Sequence, residues 1–364
     1  MRTLVTGHEG YLGSVMVPFL VDAGHEVVGL DAGLFRGALF GTNGNSPHGI
    51  HPGRNGSARD VRDVQVEDLL GFNAVIHLAA LSNDPLGDLN PELTRDINRD
   101  GTLRVARLAR EAGVSRFLFA SSCSLYGVAG DDLVDESAPR SPITPYGRSK
   151  VEVEDALTAM ADDRFSPTYL RNATAYGASP ALRLDVVVNN LVASGFTTGE
   201  VELRSDGTSW RPLVHAEDIA RAFRAVLEAP REVVHARAFN VGRQGENYQV
   251  RDLAQMVAEA LPGTRVTMHD DAVSDPRSYR VDFNRLMDSL PSYRPTWTVE
   301  EGIRELVEAF RRHRLDSDSV RNGRYVRLRE IRRLLEGGRL SPDLRWREAG
   351  KATTDAHQHE GTRS

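Results

Sequence analysis

A tyrosine and a lysine four positions apart carry the strongest chemical signal in this sequence. Tyr146 and Lys150 belong to the stretch Tyr-Gly-Arg-Ser-Lys, at the start of a predicted helix. A spacing of four places the two side chains on one face of a helix, one turn apart. The ammonium then favours the phenolate, which lowers the pKa of the tyrosine from its usual value of about 10. The pair predicts a tyrosine that works as a general acid or base.

The scarcity of lysine supports a specific role for Lys150. The chain has 45 lysine and arginine residues, yet Lys150 and Lys351 are its only lysines. Lys351 lies in a polar stretch, so Lys150 is the one lysine of the predicted folded body. A lysine kept among so many arginines is expected where a compact ammonium is needed rather than a guanidinium fork.

The composition indicates a globular protein without a nucleic-acid surface. Of the 364 residues, 40% are apolar and 26% are charged, and the net charge of −6 argues against nucleic acid as the main partner. The Arg-rich run 311–333 is interleaved with acidic residues and predicts a solvated helical face. A single cysteine, Cys123, excludes an internal disulfide framework. Apolar runs fall short of the ~18 residues of a membrane span, so we expect no membrane association and a cytoplasmic location.

The chain opens with the signature of a nucleotide-binding loop. A short apolar strand at 3–6 leads directly into glycines 7, 10 and 13, followed by an amphipathic helix to about residue 21. Glycines at this spacing allow a tight turn and let the backbone approach a pyrophosphate at the helix N-terminus. The residues expected to bind the cofactor here are Gly7, Gly10, Tyr11, Leu12 and Gly13.

An acidic residue at the end of the next strand favours NAD as the cofactor. Asp31 follows a predicted strand at 26–30, eighteen residues past the last glycine of the loop. Its carboxylate can accept hydrogen bonds from both hydroxyls of an adenosine ribose and would repel a 2′-phosphate. Arg36 leaves NADP open as the alternative, because an arginine can accept such a phosphate.

The first half of the chain predicts a doubly wound parallel sheet. Strands are expected at 57–61, 74–80 and 116–120, with a long helix over 91–112. Alternating strands and helices give an α/β fold, and its ligands bind at the carboxyl ends of the strands. The further residues expected along the cofactor are Asp60, Val61, Leu78, Ala79 and Ala80.

Three other features of this half also lead to expectations. His77 lies in the middle of an apolar strand and is expected to be a core histidine. The segment 32–58 is rich in Gly, Asn, Pro and Ser and predicts a lid over the ligands. His48 and His51 in this segment have no carboxylate or cysteine nearby in the sequence to complete a set of metal ligands, so we expect no metal site.

Together these motifs resemble a known family. A hydroxyl residue, Ser122, follows the strand at 116–120, and the motifs TGHEGYLG, HLAA, SSCSLYG, YGRSK, NNL and WRPLVHAEDIA lie in order along the chain. The sequence is similar to the extended short-chain dehydrogenase/reductase superfamily, in its nucleotide-sugar epimerase and dehydratase branch, over roughly residues 1–310. The resemblance implies a Rossmann-type sheet with a smaller C-terminal substrate-binding lobe.

The resemblance also implies the roles of the catalytic residues. It makes Ser122 the hydrogen-bond partner of the reacting sugar oxygen and Tyr146 the acid or base on that oxygen. Lys150 would hold the nicotinamide ribose and tune the tyrosine. Proton removal from a sugar hydroxyl would then be coupled to hydride transfer to the nicotinamide.

Substrate residues are implied in the same way. Asn190 and Arg211 match family positions that contact the nucleotide diphosphate, whereas Thr174 replaces a family asparagine and Asn172 is expected to compensate. A usual arginine is missing at 272, and either Arg277 or Arg280 is expected to take over its phosphate. Ser124 would also lie at the sugar.

The reaction stays open between three readings. Dehydratases and decarboxylases of the family carry acids just after the catalytic hydroxyl, where this chain has Cys123 and Ser124. An NAD-dependent epimerase, acting at C4 through a 4-keto sugar, is therefore favoured over an NAD(P)H-dependent ketoreductase and over a non-catalytic NAD-binding regulator. The substrate would be a nucleotide-diphosphate sugar.

The resemblance extends to assembly and domain organisation. Related enzymes dimerise through helices corresponding to 91–112 and 148–161, which predicts a homodimer. We expect a nucleotide-binding domain at 1–165 that also takes core elements from the second half, and a substrate lobe at 166–310. A helical extension at 311–349 and a disordered tail at 350–364 are expected to follow.

Overall fold

The computed structural model describes residues 1–41, 59–129, 132–268 and 277–347. His48 and His51, most of the predicted lid, residue 272 and the predicted tail at 350–364 lie outside the described residues.

A parallel six-stranded sheet forms the centre of the molecule. Its strands are β1 Arg2–Thr6, β2 Glu26–Leu30, β3 Ala74–His77, β4 Arg116–Ser122, β6 Ser166–Asn172 and β10 Arg237–Val241. They lie in the order β10-β6-β4-β3-β1-β2, and every neighbouring pair is parallel. β2 lies on one side of β1 and β3 lies on the other, so the strand order reverses at β1. Sheets of this kind bind ligands at such a switch point. The predicted doubly wound α/β fold is confirmed.

The prediction of a strand at 57–61 was wrong for residues 59–61, the part that the structure describes. Asp60 and the 3₁₀ turn Val61–Asp63 stand where the strand was expected. Asp60 accepts a hydrogen bond from the backbone of Arg62 at 2.8 Å, which bends the chain into the turn. One backbone bond, from Arg59 N to Asp31 O at 2.7 Å, joins this segment to the end of β2.

Helices cover both faces of the sheet. In this half they are α1 Gly13–Asp22, α2 Asp84–Gly87, α3 Pro91–Arg95, α4 Thr102–Glu111 and α5 Pro145–Met160. A π-helical segment, Asp96–Gly101, joins α3 to α4, so the predicted helix at 91–112 is one continuous element with a wider turn in its middle. Insertion of one residue into a helical turn changes which side chains face the sheet, and such turns often occur at functional sites.

The second half builds a lobe with its own apolar core. The helices of this half are α6 Val187–Thr198, α7 Ala216–Glu228, α8 Arg231–Val234, α9 Val250–Ala260, α10 Asn284–Ser289 and α11 Val299–Arg312. Of these, α7, α8 and α10 contribute to the core of the central sheet. Small sheets join β7 Thr174–Tyr176, β9 Trp210–His215 and β11 Asn247–Gln249, then β8 Glu200–Leu203 with β12 Arg265–Met268, and β5 Leu133–Val134 with β13 Arg280–Val281. Residues of α6, α9 and α11 form the core of the lobe. Among the described residues, none of the helices is both long and apolar enough to cross a membrane.

The residues after α11 fold back onto the nucleotide-binding half. They contain α12 Ser317–Arg321 and α13 Arg327–Glu336. Ile331 and Leu334 of α13 are buried in the same core cluster as residues of β1 and β3. Further along, the Trp346 indole donates to Ala32 O at 2.7 Å, and Arg345 forms an ion pair with Asp63. The segment 313–347, called the C-terminal extension below, therefore lies beside the end of β2.

Candidate functional site

The carboxyl ends of the sheet strands open into a cavity of about 430 Å³. All the residues expected along the cofactor line it: Gly7, Gly10, Tyr11, Leu12, Gly13, Asp31, Asp60, Val61, Leu78, Ala79, Ala80, Tyr146 and Lys150. Of the expected substrate residues, the structure also brings in Ser122, Ser124, Asn172, Arg211 and Arg277.

The glycine loop leaves room for an anion only because side chains are missing. A β-carbon on Gly13 would lie 2.3 Å from Gly7 O, and Gly7 itself has a φ of +74°. At Gly7 a β-carbon would lie 2.8 Å from Ala79 N, so the end of β3 presses against the loop. Leu12 precedes α1 without any side-chain cap. The positive end of the α1 dipole, beside glycines that allow close backbone approach, fits a pyrophosphate.

We expect Gly13→Ala to weaken cofactor binding and to lower the free energy of unfolding by about 1–3 kcal/mol, because the new methyl group forces the loop backbone apart. Chemical denaturation and the amount of nucleotide that co-purifies would measure both effects. Gly37→Ala is the matched control, since the first atom its β-carbon would meet is Glu330 Oε1, at 3.6 Å. Equal stability and equal nucleotide content in the two variants would contradict the steric argument.

Asp31 organises the end of the cavity next to the glycine loop, where the adenosine ribose is expected. Its carboxylate accepts backbone hydrogen bonds from Gly33 at 2.7 Å and Glu9 at 3.1 Å, and burial raises its pKa. Arg36, the residue that left NADP open, forms a double hydrogen bond with the Glu9 carboxylate at 2.5 and 2.8 Å. The arginine is therefore already engaged by a carboxylate, which favours NAD.

The helix that carries the tyrosine is fixed at its first turn. The Thr144 hydroxyl caps α5 by accepting from Gly147 N at 3.1 Å, and Pro145 takes the first helical position. Tyr146 follows directly and lines the cavity beside Ser122, the last residue of β4. The Ser124 hydroxyl donates to Ser122 Oγ at 2.9 Å, so the two serines form one polar group next to the phenol.

Lys150 is buried below the tyrosine. Its ammonium donates to Ala120 O at 2.7 Å and lies 5.3 Å from the centre of the Tyr146 ring. Burial lowers the Lys150 pKa to about 7, although the nearby Glu154 carboxylate acts in the opposite direction.

The tyrosine pKa differs from the sequence-based expectation. Burial raises the Tyr146 pKa to about 12, a hydrogen bond from Ser122 lowers it less, and the charge of Asp84 raises it further. Lys150 was expected to lower the Tyr146 pKa. Removal of the phenol from water raises this pKa by more, so the net shift is upward. Tyr146 therefore carries its proton in this state.

A buried ion pair behind the site ties α5 to the sheet. Arg171 of β6 binds both Glu154 carboxylate oxygens, with Nη2 to Oε2 at 2.7 Å, and the Ser121 hydroxyl donates to Oε1 at 2.6 Å. Glu154 stands one helical turn after Lys150. The pair thus sets the position of Lys150 against the end of β4.

Three residues near the site have structural roles. The Cys123 thiol is buried and donates to Arg171 O at 3.1 Å, as expected for a small core residue. His77 is a core histidine, as expected, because Thr6 and Thr102 hydroxyls bind its two ring nitrogens at 3.0 and 2.9 Å. Asn98 of the π-helical segment binds the Leu81 backbone through both its oxygen and its nitrogen, which fixes the chain just after β3.

The opposite end of the cavity carries cations and amides. Arg277 forms an ion pair with Asp84 at 2.8 Å, and Arg211 donates to Arg277 O. The Asn172 amide donates to Ser121 O at 3.3 Å, while its carbonyl oxygen is buried without a hydrogen-bond partner among the described residues. Guanidinium and amide groups of this kind suit a diphosphate and a sugar.

Of the expected substrate residues, Asn190 is the one that the structure does not bring into the cavity. Asn190 is exposed, does not line the cavity, and donates to Leu184 O at 3.0 Å. Its neighbour Asn189 is fully buried and binds Gly177, Arg183 and the Tyr11 hydroxyl. Successive residues on a helix point about 100° apart, so only one of the two asparagines can face the interior here.

Sequence reasoning missed two arginines of the cavity. Arg183 is buried, pairs with Asp185 at 2.8 Å and donates to Ser82 Oγ at 3.1 Å. Arg327 of α13 also lines the cavity and is only 3% exposed, although the run 311–333 was expected to be a solvated face. An Arg-x-Asp sequence ahead of an apolar helix was an available signal for the first. No local signal distinguished Arg327 from its neighbours.

The described residues contain no group of three or more His, Cys, Asp or Glu side chains that could hold a metal ion. The glycine cradle, the Asp31 carboxylate and the Tyr146–Lys150 pair fit a dinucleotide. NAD, when bound, supplies a carbon that accepts and returns a hydride.

Comparisons with known proteins agree with this site. A UDP-glucose 4-epimerase of Mycolicibacterium smegmatis is 28% identical over 323 residues, which span 85% of this chain and 99% of that protein. UDP-glucuronic acid decarboxylase 1 of Arabidopsis thaliana is 27% identical over 330 residues, or 87% of this chain and 72% of that protein. The structure of the Thermus thermophilus UDP-glucose 4-epimerase complex with NAD has a TM-score of 0.70 and 27% identity, and covers 85% of this chain and 99% of that one.

The family model described as NAD dependent epimerase/dehydratase matches residues 3–242, about two thirds of the chain. This match confirms the family resemblance seen in the sequence and the prediction of NAD as the cofactor. The chain therefore belongs to the NAD dependent epimerase/dehydratase family and is an enzyme of that class.

Proposed function

We propose that this enzyme is a nucleotide-sugar 4-epimerase. The observation that carries the proposal is the set of groups around Ser122: a tyrosine and a serine for one sugar oxygen, with no carboxylate at the two following positions. Elimination and decarboxylation need an acid or base at a second carbon of the ring. Cys123 is turned into the core and Ser124 is bonded to Ser122, so neither fills that role.

Among the described residues, the carboxylates that face this end of the cavity are already engaged. Asp84 accepts from Thr144 at 2.7 Å and pairs with Arg277. Asp185 pairs with Arg183 and accepts from Asn83 at 2.8 Å. Burial is the largest influence and would raise the Asp185 pKa, but the charge and hydrogen bond of Arg183 together with the charge of Arg327 outweigh it, and the pKa is lowered. Asp185 is therefore an ionised binding group and no proton donor.

In the proposed reaction Tyr146 takes the proton from the C4 hydroxyl while Ser122 holds the same oxygen. Lys150 keeps its ammonium close to the phenol and stabilises the phenolate during the transfer. Hydride removal leaves a 4-keto sugar, which turns over in the cavity and accepts the hydride on its other face. Tyr146 then returns the proton to the oxygen.

Arg211, Arg277 and Asn172 would bind the nucleotide-diphosphate part of the substrate. The relatives named above support a uridine nucleotide as the first to test, since both epimerases and the decarboxylase carry UDP sugars in their names. The decarboxylase is nearly as similar to this chain as the epimerases, so overall similarity does not choose the reaction. We further propose that the enzyme is a cytoplasmic homodimer, and that each chain has the domain bounds predicted from the sequence.

The test is to identify the bound cofactor and then to incubate the protein with UDP sugars in D₂O without added cofactor. We expect close to one NAD per chain, and NMR should show conversion to the C4 epimer with no deuterium on any ring carbon. Deuterium at C3 or C5 would indicate epimerisation through an enol at those carbons. Empty protein that consumes NADPH or NADH only with a 4-keto sugar would make it a ketoreductase, and release of CO₂ from UDP-glucuronic acid would make it a decarboxylase.

A further inference from the structure

The C-terminal extension places one arginine inside the cofactor cavity. Arg327, the first residue of α13, is 3% exposed and lines the same cavity as the glycine loop and Asp31. Its guanidinium lies 4.1 Å above the Phe35 ring, and Nη2 donates to Ala181 O at 2.8 Å. These contacts hold the plane of the guanidinium in one orientation.

The other end of this guanidinium has no hydrogen-bond partner in the part of the chain that the structure describes. Nη1 of Arg327 is fully buried and makes no hydrogen bond to any described residue. A buried, charged donor without an acceptor lowers the stability of the folded protein. A ligand that accepts a hydrogen bond from Nη1 would remove this cost. Burial, together with the like charge of Arg183, lowers the Arg327 pKa to about 10. An anion between the two arginines would offset both penalties.

We propose that Arg327 donates from Nη1 to the diphosphate of the dinucleotide, so that the C-terminal extension forms part of the cofactor site. The diphosphate is the anion that the glycine loop is shaped to hold. The acidic groups that act on the Arg327 charge, Asp185, Asp31 and Glu330, form no hydrogen bond to Nη1. A guanidinium fork suits a phosphoryl oxygen. The inference rests on a dinucleotide in this cavity and does not depend on which reaction follows.

The test is a ligand series on the full chain, by competition against the fluorescent analogue etheno-NAD. The competitors are adenosine, ADP, NAD, NADP and UDP. We expect Arg327→Gln to weaken ADP and NAD by about 10- to 100-fold, as for the loss of a hydrogen bond to a charged group, and adenosine by less than about 3-fold. Arg327→Lys should fall between, because it keeps the charge but loses the fork.

Arg332→Gln, an exposed arginine of the same helix, should leave the whole series unchanged. An equal loss for adenosine and ADP would overturn the proposal and make Arg327 a positioning residue for the pocket wall. A loss confined to NADP would assign it to a 2′-phosphate, and a loss confined to UDP would assign it to the substrate. Failure of the unchanged protein to bind any dinucleotide would refute the cofactor site itself. If Arg327→Gln does not fold, the same comparisons hold for Arg327→Lys.

Discussion

Tyr146→Phe is expected to reduce turnover by about 10²- to 10⁴-fold, the usual contribution of a positioned acid or base. In the proposed reaction the phenol is the group beside Ser122 that exchanges a proton with the reacting oxygen. Removal of one oxygen leaves the ring packed in the cavity wall, so the amount of bound NAD and the thermal midpoint should stay close to those of the unchanged protein. Sugar interconversion and released nucleotide would be measured on the same preparation.

Tyr169→Phe is the matched control for this variant. Tyr169 is buried in β6, and its hydroxyl bonds to Thr158 at 2.7 Å, away from the cavity. We expect full turnover from the control. Unchanged turnover in Tyr146→Phe would contradict the assignment of this residue as acid or base. Loss of NAD binding would instead indicate a role in holding the cofactor.

Lys150→Met is expected to reduce turnover by at least about 10²-fold while making the empty protein more stable. The ammonium is buried at the cost of its hydration, and a thioether of similar length fills the same space without that cost. Replacement of a buried ion pair by apolar groups is often neutral or raises the free energy of unfolding by roughly 1–4 kcal/mol, and we expect a gain within this range when the single Lys150 ammonium is replaced. The loss of turnover follows because the charge next to the Tyr146 phenol disappears.

The gain in stability should depend on pH in a defined direction. The Lys150 pKa is about 7 in the folded protein and about 10.4 in the unfolded chain. Between these values the unfolded chain binds a proton that the folded chain does not, so the free energy of unfolding of the unchanged protein rises with pH. The advantage of Lys150→Met should therefore be largest below pH 7 and shrink as the pH rises from about 7 to 10.

Chemical denaturation of nucleotide-free protein at several pH values would measure this difference. Arg148→Met, an exposed cation on the same helix, is the control for loss of a charge without burial. It should change stability little at any pH. If the stability gain of Lys150→Met instead grew with pH, it would contradict a buried Lys150 with a lowered pKa.

Local patterns predicted the elements that hold the cofactor. The bounds of β2 agree with the sequence-based strand, and α1 begins at Gly13 as the glycine spacing requires. These elements are short and sit next to each other in sequence, so turn chemistry and apolar periodicity determine them. The Tyr146–Lys150 pair was visible for the same reason, since the helix itself sets their separation.

Features that depend on distant parts of the chain were not visible. Asp60 competes with strand pairing through its own side chain, which no apolar pattern records. The choice between Asn189 and Asn190 depends on the rotation of α6 against Tyr11, almost 180 residues earlier. Arg327 is one of many arginines in its stretch, and only tertiary packing against Phe35 distinguishes it.

The contacts of the C-terminal extension also bear on how the protein is made. The glycine loop and β2 are synthesised first, yet the segment that pairs with Asp63 and Ala32 is among the last described residues to leave the ribosome. Arg327 and Leu344 of the extension line the cavity, so this part of its wall is incomplete until they have been synthesised. Capture of the cofactor by the finished pocket is therefore expected to follow synthesis of the extension.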